Sequence, residues 1–194
     1  MEEFIIFLKL GFDHITDLNG YDHLLFIVAL CAIYDLNDWK KVLVSITAFT
    51  VGHSITLALS VLNLVHFSTD LIEFLIPVTI MITCIGNLFL NKGKKQSAIF
   101  SLRYPTTLFF GLIHGLGFSN YLRSLLGNSN SIVSELLAFN LGLEFGQILI
   151  VLVFLLINYI FIKIIKVQKV SFVKILSAFL AGITFTLIID KWIF

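Results

Sequence analysis

Long apolar stretches separated by short polar links run along most of this chain. A helix needs about 20 predominantly apolar residues to cross a bilayer, and the pattern predicts about six such helices. Residues 3–10 are apolar but too few to span, so we expect them to form a short interfacial or re-entrant helix. The predicted fold is an all-α, polytopic membrane helix bundle in a single domain, residues 1–194. The expected spans are 21–34 with its neighbours, 39–65, 71–91, 98–126, 132–165 and 172–194.

The composition supports a bilayer as the surrounding medium. Hydrophobic residues make up 58% of the 194 positions and charged residues only 13%, whereas soluble domains contain about 25% charged residues. The net charge is +1, and no basic patch with interleaved aromatic residues is present, so a nucleic-acid partner is not expected. Cys31 and Cys84 both fall in apolar helices, and we interpret them as small core residues.

Basic residues are distributed unevenly between the two sides of the predicted bundle. Because Lys and Arg are enriched on the cytoplasmic side of a membrane, both termini are predicted to be extracytoplasmic in a multi-pass protein of the cytoplasmic membrane. Three basic residues fall on the terminus side, namely Lys9, Arg123 and Lys191. Ten fall on the other, namely Lys40, Lys41, Lys92, Lys94, Lys95, Arg103, Lys163, Lys166, Lys169 and Lys174.

A polar stretch at residues 11–23, GFDHITDLNGYDH, precedes the first predicted span. It contains His14, Asp22 and His23 together with two further carboxylates. Imidazole and carboxylate groups bind divalent metals and also perform acid–base chemistry. The alternative interpretation is a polar loop that caps the first membrane helix, with Asp22 as its N-cap.

Other histidines and a carboxylate fall inside predicted spans. His53, His114 and Glu144 all lie at mid-depth or in the outer half of the bundle. A charge at the bilayer centre costs about 2.5–3.5 kcal/mol on insertion scales, so such groups are expected to face one another in a cavity. His53 taken alone could instead bond a backbone carbonyl. The predicted metal ligands are His14, Asp22, His23, His53, His114 and Glu144, supported by Asn140, Gln147 and Ser54; His66 is interpreted as interfacial.

Four sequence blocks occur in an order that resembles the HupE/UreJ family of bacterial membrane proteins: DHLLF, ITAFTVGHSITLAL, GLIHGLGFS and AFNLGLEFGQ. The resemblance covers nearly the whole chain and implies a bacterial inner-membrane protein connected with nickel or cobalt uptake. It places the first family motif on His14, Asp22 and His23. Seven residues separate His14 from Asp22, where the permease branch has five. The later polar blocks fall on His53, on His114, and on Glu144 with Gln147.

Three functions remain open from the sequence. The first is a permease for a divalent transition metal, Ni²⁺ or Co²⁺, since no Cys or Met cluster suits Cu(I). The second is a membrane-embedded, zinc-type metallohydrolase that opens to the extracytoplasmic side, with Glu144 as general base. The third is a metal-delivery or metal-sensing subunit that acts with a membrane or periplasmic protein partner. The oligomeric state is left open.

Overall fold

A computed structural model shows a bundle of helices and describes residues 2–18, 20–89, 97–126 and 132–193. A 3-10 turn, Leu36–Asp38, leads into the third helix, and a π-helical segment, Ile160–Ile164, extends the sixth. No strand occurs within these ranges, which confirms the all-α bundle. The helices are α1 (Glu2–Thr16), α2 (Asp22–Cys31), α3 (Trp39–Val61), α4 (Thr69–Leu88), α5 (Ser97–Leu126), α6 (Ile132–Tyr159) and α7 (Lys169–Asp190).

Four helical segments are long and apolar enough to cross a membrane, and they identify the chain as a membrane protein. The fifth helix, α5, has 30 residues but is less apolar, because it contains two arginines, a histidine and three glycines. The second helix, α2, has ten residues, which is about 15 Å and too short to span alone. The four segments are Leu36–Val61, Thr69–Leu88, Ile132–Ile164 and Lys169–Asp190.

The N-terminal helix α1 lies lengthwise against α6, which differs from the interfacial helix expected from its short apolar run. A Cβ built on Gly142 would lie 1.8 Å from the Leu8 carbonyl oxygen, and one on Gly11 would lie 1.9 Å from the Phe139 carbonyl oxygen. Glycines at these points therefore let the two backbones touch, as small residues do between membrane helices. The neighbours of Gly142 are Leu8 and Phe12, and those of Gly146 are Phe12, Ile15 and Thr16, so α1 and α6 run in the same direction.

The second helix α2 continues in the direction of α1 after a break that includes residues 17, 18, 20 and 21. Asn158, near the far end of α6, donates from Nδ2 to the Tyr34 carbonyl at 2.7 Å, whereas the end of α1 lies beside Gly146. Helices α1 and α2 thus follow one another along the length of α6, with a break between them. Two half-helices therefore replace the single first span that was expected around 21–34.

Helices α3 and α5 form a second close pair. A Cβ on Gly111 would lie 2.2 Å from the Phe49 carbonyl oxygen, and one on Gly115 would lie 2.3 Å from the His53 carbonyl oxygen. Because Gly111 and Gly115 flank His114 in sequence, this contact brings the segment that carries His114 next to the segment that carries His53.

Polar contacts mark the two ends of the bundle. At one end, called here the Glu73 end, Lys191 Nζ lies 2.8 Å from Glu73 Oε2. At the opposite end, called the Asp35 end, Lys169 Nζ lies 2.5 Å from Asp35 Oδ2. The predicted end of the third span at Asn91 and the basic link with Lys92, Lys94 and Lys95 lie outside the described residues.

Candidate metal centre

Four imidazole rings meet in the half of the bundle nearer the Glu73 end. They come from four helices: His14 from the last turn of α1, His23 from the first turn of α2, His53 from α3 and His114 from α5. The His23 ring centroid lies 4.8 Å from that of His14, 6.1 Å from that of His53 and 5.1 Å from that of His114. His53 lies eight residues before the end of α3, about 12 Å below it. The structure therefore places His14 and His23, from the polar stretch at residues 11–23, in the interior of the bundle.

The spacing of potential ligand atoms suits a metal ion. Those of His14, His23 and His53 all lie within 4.8 Å of one another, and so do those of Asp22, His23 and His114. His53 and His114 are completely buried, His23 is almost so, and His14 is half-buried. The potential ligand atom of His14 therefore lies near those of His23 and His53 despite the longer spacing between His14 and Asp22.

Five ring nitrogens in this cluster are buried and have no hydrogen-bond partner: His14 Nε2, His23 Nε2, His53 Nδ1, His53 Nε2 and His114 Nδ1. A buried polar atom without a partner costs about 1–3 kcal/mol, so five in one place favour a ligand at this cluster. Neutral imidazole nitrogens are ligands for nickel, copper, iron and zinc ions. The donor set therefore fits a divalent transition metal.

Asp22 orients one of these rings. Its Oδ1 accepts a hydrogen bond from the His23 backbone N at 2.9 Å and lies 3.1 Å from His23 Nδ1. Carboxylates that bond the remote nitrogen of a histidine fix its tautomer and raise its basicity as a ligand. With Nδ1 engaged by the carboxylate, Nε2 is the atom that His23 presents to the cluster.

Thr79 of α4 also contacts the cluster, and the sequence analysis did not identify it. Its Oγ1 lies 3.0 Å from His114 Nε2 and donates to the Ile76 carbonyl at 2.7 Å. Threonine is common in membrane helices and usually bonds its own helix, so its type and spacing carry no signal. The sequence could have pointed to Thr79 only through His114, because a buried histidine needs a hydrogen-bond partner on a neighbouring helix.

A cavity of about 380 Å³ leads from the Glu73 end to the cluster. Three carboxylates in its lining, Asp17, Asp22 and Glu73, outnumber the one lysine, Lys191, so its field attracts cations. The hydrogen bond to Glu73 raises the pKa of Lys191. The remaining lining residues are His14, Gly20, Tyr21, His23, Ile76, Pro77, His114, Gly117, Phe118 and Leu187.

Aromatic side chains adjoin the cluster inside the bundle. The Phe26 and Phe49 rings are stacked with centroids 4.9 Å apart, and each ring also lies near His114, at 5.4 Å and 5.1 Å. Neither ring lines the described cavity. Further toward the Asp35 end, Arg103 donates to Asn87 Oδ1 at 2.7 Å.

Glu144 lies outside the histidine cluster, contrary to its expected place among the ligands. It is half-buried, and its Oε1 accepts a hydrogen bond from Thr47 of α3 at 2.7 Å. One turn further, Gln147 Oε1 accepts from Thr50 at 2.8 Å. Glu144 and Gln147 do share a helix face, but that face meets the threonines of α3. The physical reason is the rotation of α6 about its own axis. Gly142 and Gly146 face α1, and this orientation directs Glu144 toward Thr47 of α3.

Two of the three expected supporting residues, Asn140 and Ser54, bond their own helices. Asn140 donates to the Leu136 carbonyl, and Ser54 donates to the Thr50 carbonyl. His66 is exposed and lies with Arg123 and Ser60 around a second, small cavity at the Glu73 end. The structure therefore brings together His14, Asp22, His23, His53 and His114 from the expected set.

These features define a helical membrane protein with buried imidazoles at the end of a cavity that three carboxylates line. A family model described as HupE / UreJ protein matches residues 1–193. The chain therefore belongs to the HupE/UreJ family, which is associated with nickel and cobalt transport. No curated protein and no solved structure matches the chain.

Proposed function

We propose that this chain is a permease for a divalent transition-metal ion of the nickel or cobalt type, located in the bacterial inner membrane with both termini extracytoplasmic. The observation that carries the proposal is the set of five buried, unpartnered ring nitrogens on four histidines. A core that served only packing would have apolar side chains at these positions, and a polar core would provide hydrogen-bond partners for the ring nitrogens. One metal ion can bind one nitrogen from each of the four rings, and the other nitrogen of His53 then carries that ring's hydrogen.

Each part of the cavity has a role in this proposal. Asp17 and Glu73 line it together with His14, Asp22, His23 and His114, and the excess of carboxylates over Lys191 raises the local concentration of cations. His14, His23, His53 and His114 bind the ion, and Asp22 holds the His23 ring. Bound metal supplies positive charge that compensates the Asp22 carboxylate within the bundle.

Passage to the opposite face requires a change of conformation. The described cavity opens toward the Glu73 end, and the Phe26 and Phe49 pair adjoins the cluster. Arg103 lies eleven residues before His114 along α5, about 16 Å away, and its positive charge opposes a cation at that position. The arrangement corresponds to a state that receives the ion from the Glu73 end.

The metallohydrolase hypothesis loses its named general base in this arrangement. Glu144 bonds Thr47 and is not among the groups that could share a metal with the histidines. A general base must lie within hydrogen-bond reach of the water it activates, directly or through one water. Zinc was the metal of that hypothesis and has no separate support. A delivery or sensing subunit would use the same cluster, so uptake is the property that separates it from a permease.

The test combines metal binding with uptake. Purified protein would be titrated with Ni²⁺, Co²⁺ and Zn²⁺ by calorimetry, then reconstituted into liposomes that contain a fluorescent metal indicator. We expect binding and uptake in the wild type and neither in His53→Ala, while His66→Ala behaves as the wild type does. Binding without uptake would refute the permease and favour a delivery or sensing subunit. Absence of binding would refute the metal centre.

A further inference from the structure

We propose that Thr79 is a positioning residue that determines which ring nitrogen of His114 binds the metal. The proposal rests on the metal centre of the proposed function and adds a residue to it. Thr79 is 2% exposed and belongs to α4, a helix that contributes no imidazole to the cluster. Its hydroxyl is the group bonded to Nε2 of the fully buried His114.

The direction of these hydrogen bonds follows from counting hydrogens. A threonine hydroxyl has one hydrogen and two lone pairs. The Ile76 carbonyl oxygen can only accept, and its 2.7 Å distance from Thr79 Oγ1 therefore assigns the hydroxyl hydrogen to it. Thr79 Oγ1 then has no hydrogen left for His114 and can only accept. The hydrogen in the 3.0 Å contact must therefore be on His114 Nε2.

The tautomer of His114 determines its free lone pair. A neutral imidazole has a hydrogen on one nitrogen and a lone pair on the other. With the hydrogen on Nε2, the lone pair is on Nδ1, and His114 Nδ1 is one of the buried atoms without a partner. His114 therefore presents Nδ1 to the cluster, whereas His23, bonded to Asp22 through Nδ1, presents Nε2.

Thr79 differs from Thr83, the next threonine along α4. Thr83, one turn along α4, bonds only the carbonyl of Thr79 on its own helix at 3.0 Å. That local bond is the ordinary behaviour of a threonine in a helix. Thr79 has the same kind of local bond and, in addition, a ring nitrogen from α5. Thr83→Val is therefore a matched control that removes a hydroxyl from α4 without touching His114.

The first measurement uses metal-free protein with ¹⁵N-labelled histidine. The His114 ring signals are assigned by their loss in His114→Ala. We expect the wild type and Thr83→Val to show His114 with its hydrogen on Nε2, and Thr79→Val, which keeps the side-chain shape, to lose this single tautomer. Thr79→Ser restores the hydroxyl and should restore the wild-type pattern. A wild-type His114 with its hydrogen on Nδ1 would overturn the proposal.

The second measurement is Co²⁺ affinity, followed by the absorption spectrum of the bound ion. Loss of a residue that orients a metal ligand typically lowers affinity by about 10–100-fold, which is the effect expected for Thr79→Val. Thr79→Ser and Thr83→Val should bind as the wild type does. Unchanged affinity and spectrum in Thr79→Val would overturn the positioning role. If His114→Ala itself bound Co²⁺ normally, the metal centre would fail, while the tautomer measurement would still report on the Thr79 contact.

Discussion

Gly142 of α6 packs directly on the main chain of Leu8 in α1. The same helix α1 carries His14 in its last turn, so the contact between α1 and α6 sets the position of one proposed metal ligand. A helix that packs through glycines has little room for a larger side chain. The position of His14 therefore depends on residues that do not themselves bind a metal.

Replacing Gly142 with leucine should separate α1 from α6. A Cβ at this position would lie 1.8 Å from the Leu8 carbonyl oxygen, and overpacking of this kind costs about 1–3 kcal/mol. We expect a lower unfolding temperature in detergent together with weaker Ni²⁺ binding. The control is Gly182→Leu in α7, where nothing lies within 4 Å of an added Cβ. Equal losses in the two variants would contradict the proposed α1–α6 contact.

Removal of individual histidines should affect metal affinity unequally. His23 belongs to both groups of potential ligands, whereas His14 belongs to one and is only half-buried. We expect His23→Ala to lower Ni²⁺ affinity more than His14→Ala does, measured by calorimetric titration.

Glu144→Gln is the companion variant for this series. The amide still accepts the hydrogen bond from Thr47, and the residue is not among the potential ligands. Its Ni²⁺ affinity should match that of the wild type. A loss as large as that of His53→Ala would return Glu144 to the metal centre.

Asn87 should contribute to stability without contributing to metal binding. Its Nδ2 donates to the Ala29 carbonyl at 2.7 Å, and its Oδ1 accepts from Arg103. Asn87→Leu leaves both partners unpaired, which costs about 1–3 kcal/mol for each buried group. Thermal unfolding should show this loss, whereas Thr106→Val, at an exposed residue bonded to its own helix, should unfold as the wild type does. An unchanged unfolding temperature in Asn87→Leu would argue against this network.

The orientation of the chain in the membrane is a further prediction. The native cysteines are buried, so an impermeant maleimide should report only on an introduced thiol. Because the basic residues concentrate toward the Asp35 end, Ser68→Cys, beyond the Glu73 end of α4, should label in intact cells. Gln168→Cys, before α7, should label only after the membrane is opened. The reverse pattern would place the cavity on the cytoplasmic side.

The depth of a residue in the membrane can be predicted from its position along a span, but the direction in which its helix turns the side chain cannot. His53 and His114 were identified because burying polar groups in a bilayer requires partners, whatever face they occupy, and His23 was identified because the stretch 11–23 is rich in imidazole and carboxylate groups. Glu144 lies at a comparable position along its helix, but each residue turns the side chain by about 100°. Its direction was decided by the glycine contacts of α6 with α1, which involve residues far apart in the chain.

The broken first span was missed for a related reason. A hydropathy window tests each apolar run by length, and α1 and α2 each fail that test alone. The pair crosses the bundle because α1 contacts Gly142 and Gly146 of α6, and α2 contacts Asn158 through Tyr34. Gly11, Gly142 and Gly146 were visible in the sequence, but their pairing was not.

In the proposed metal centre, the break between α1 and α2 allows the number of imidazoles around the ion to change when α1 moves. His14 moves with α6, through α1, whereas His23 is tied to α4 through the Asn87 bond to Ala29. If α1 slid along Gly142 and Gly146 of α6, the His14 imidazole would move away from the other three, and every helix would stay intact. In this proposal, a shift of one short helix weakens binding of the ion without unwinding a segment or protonating a ligand.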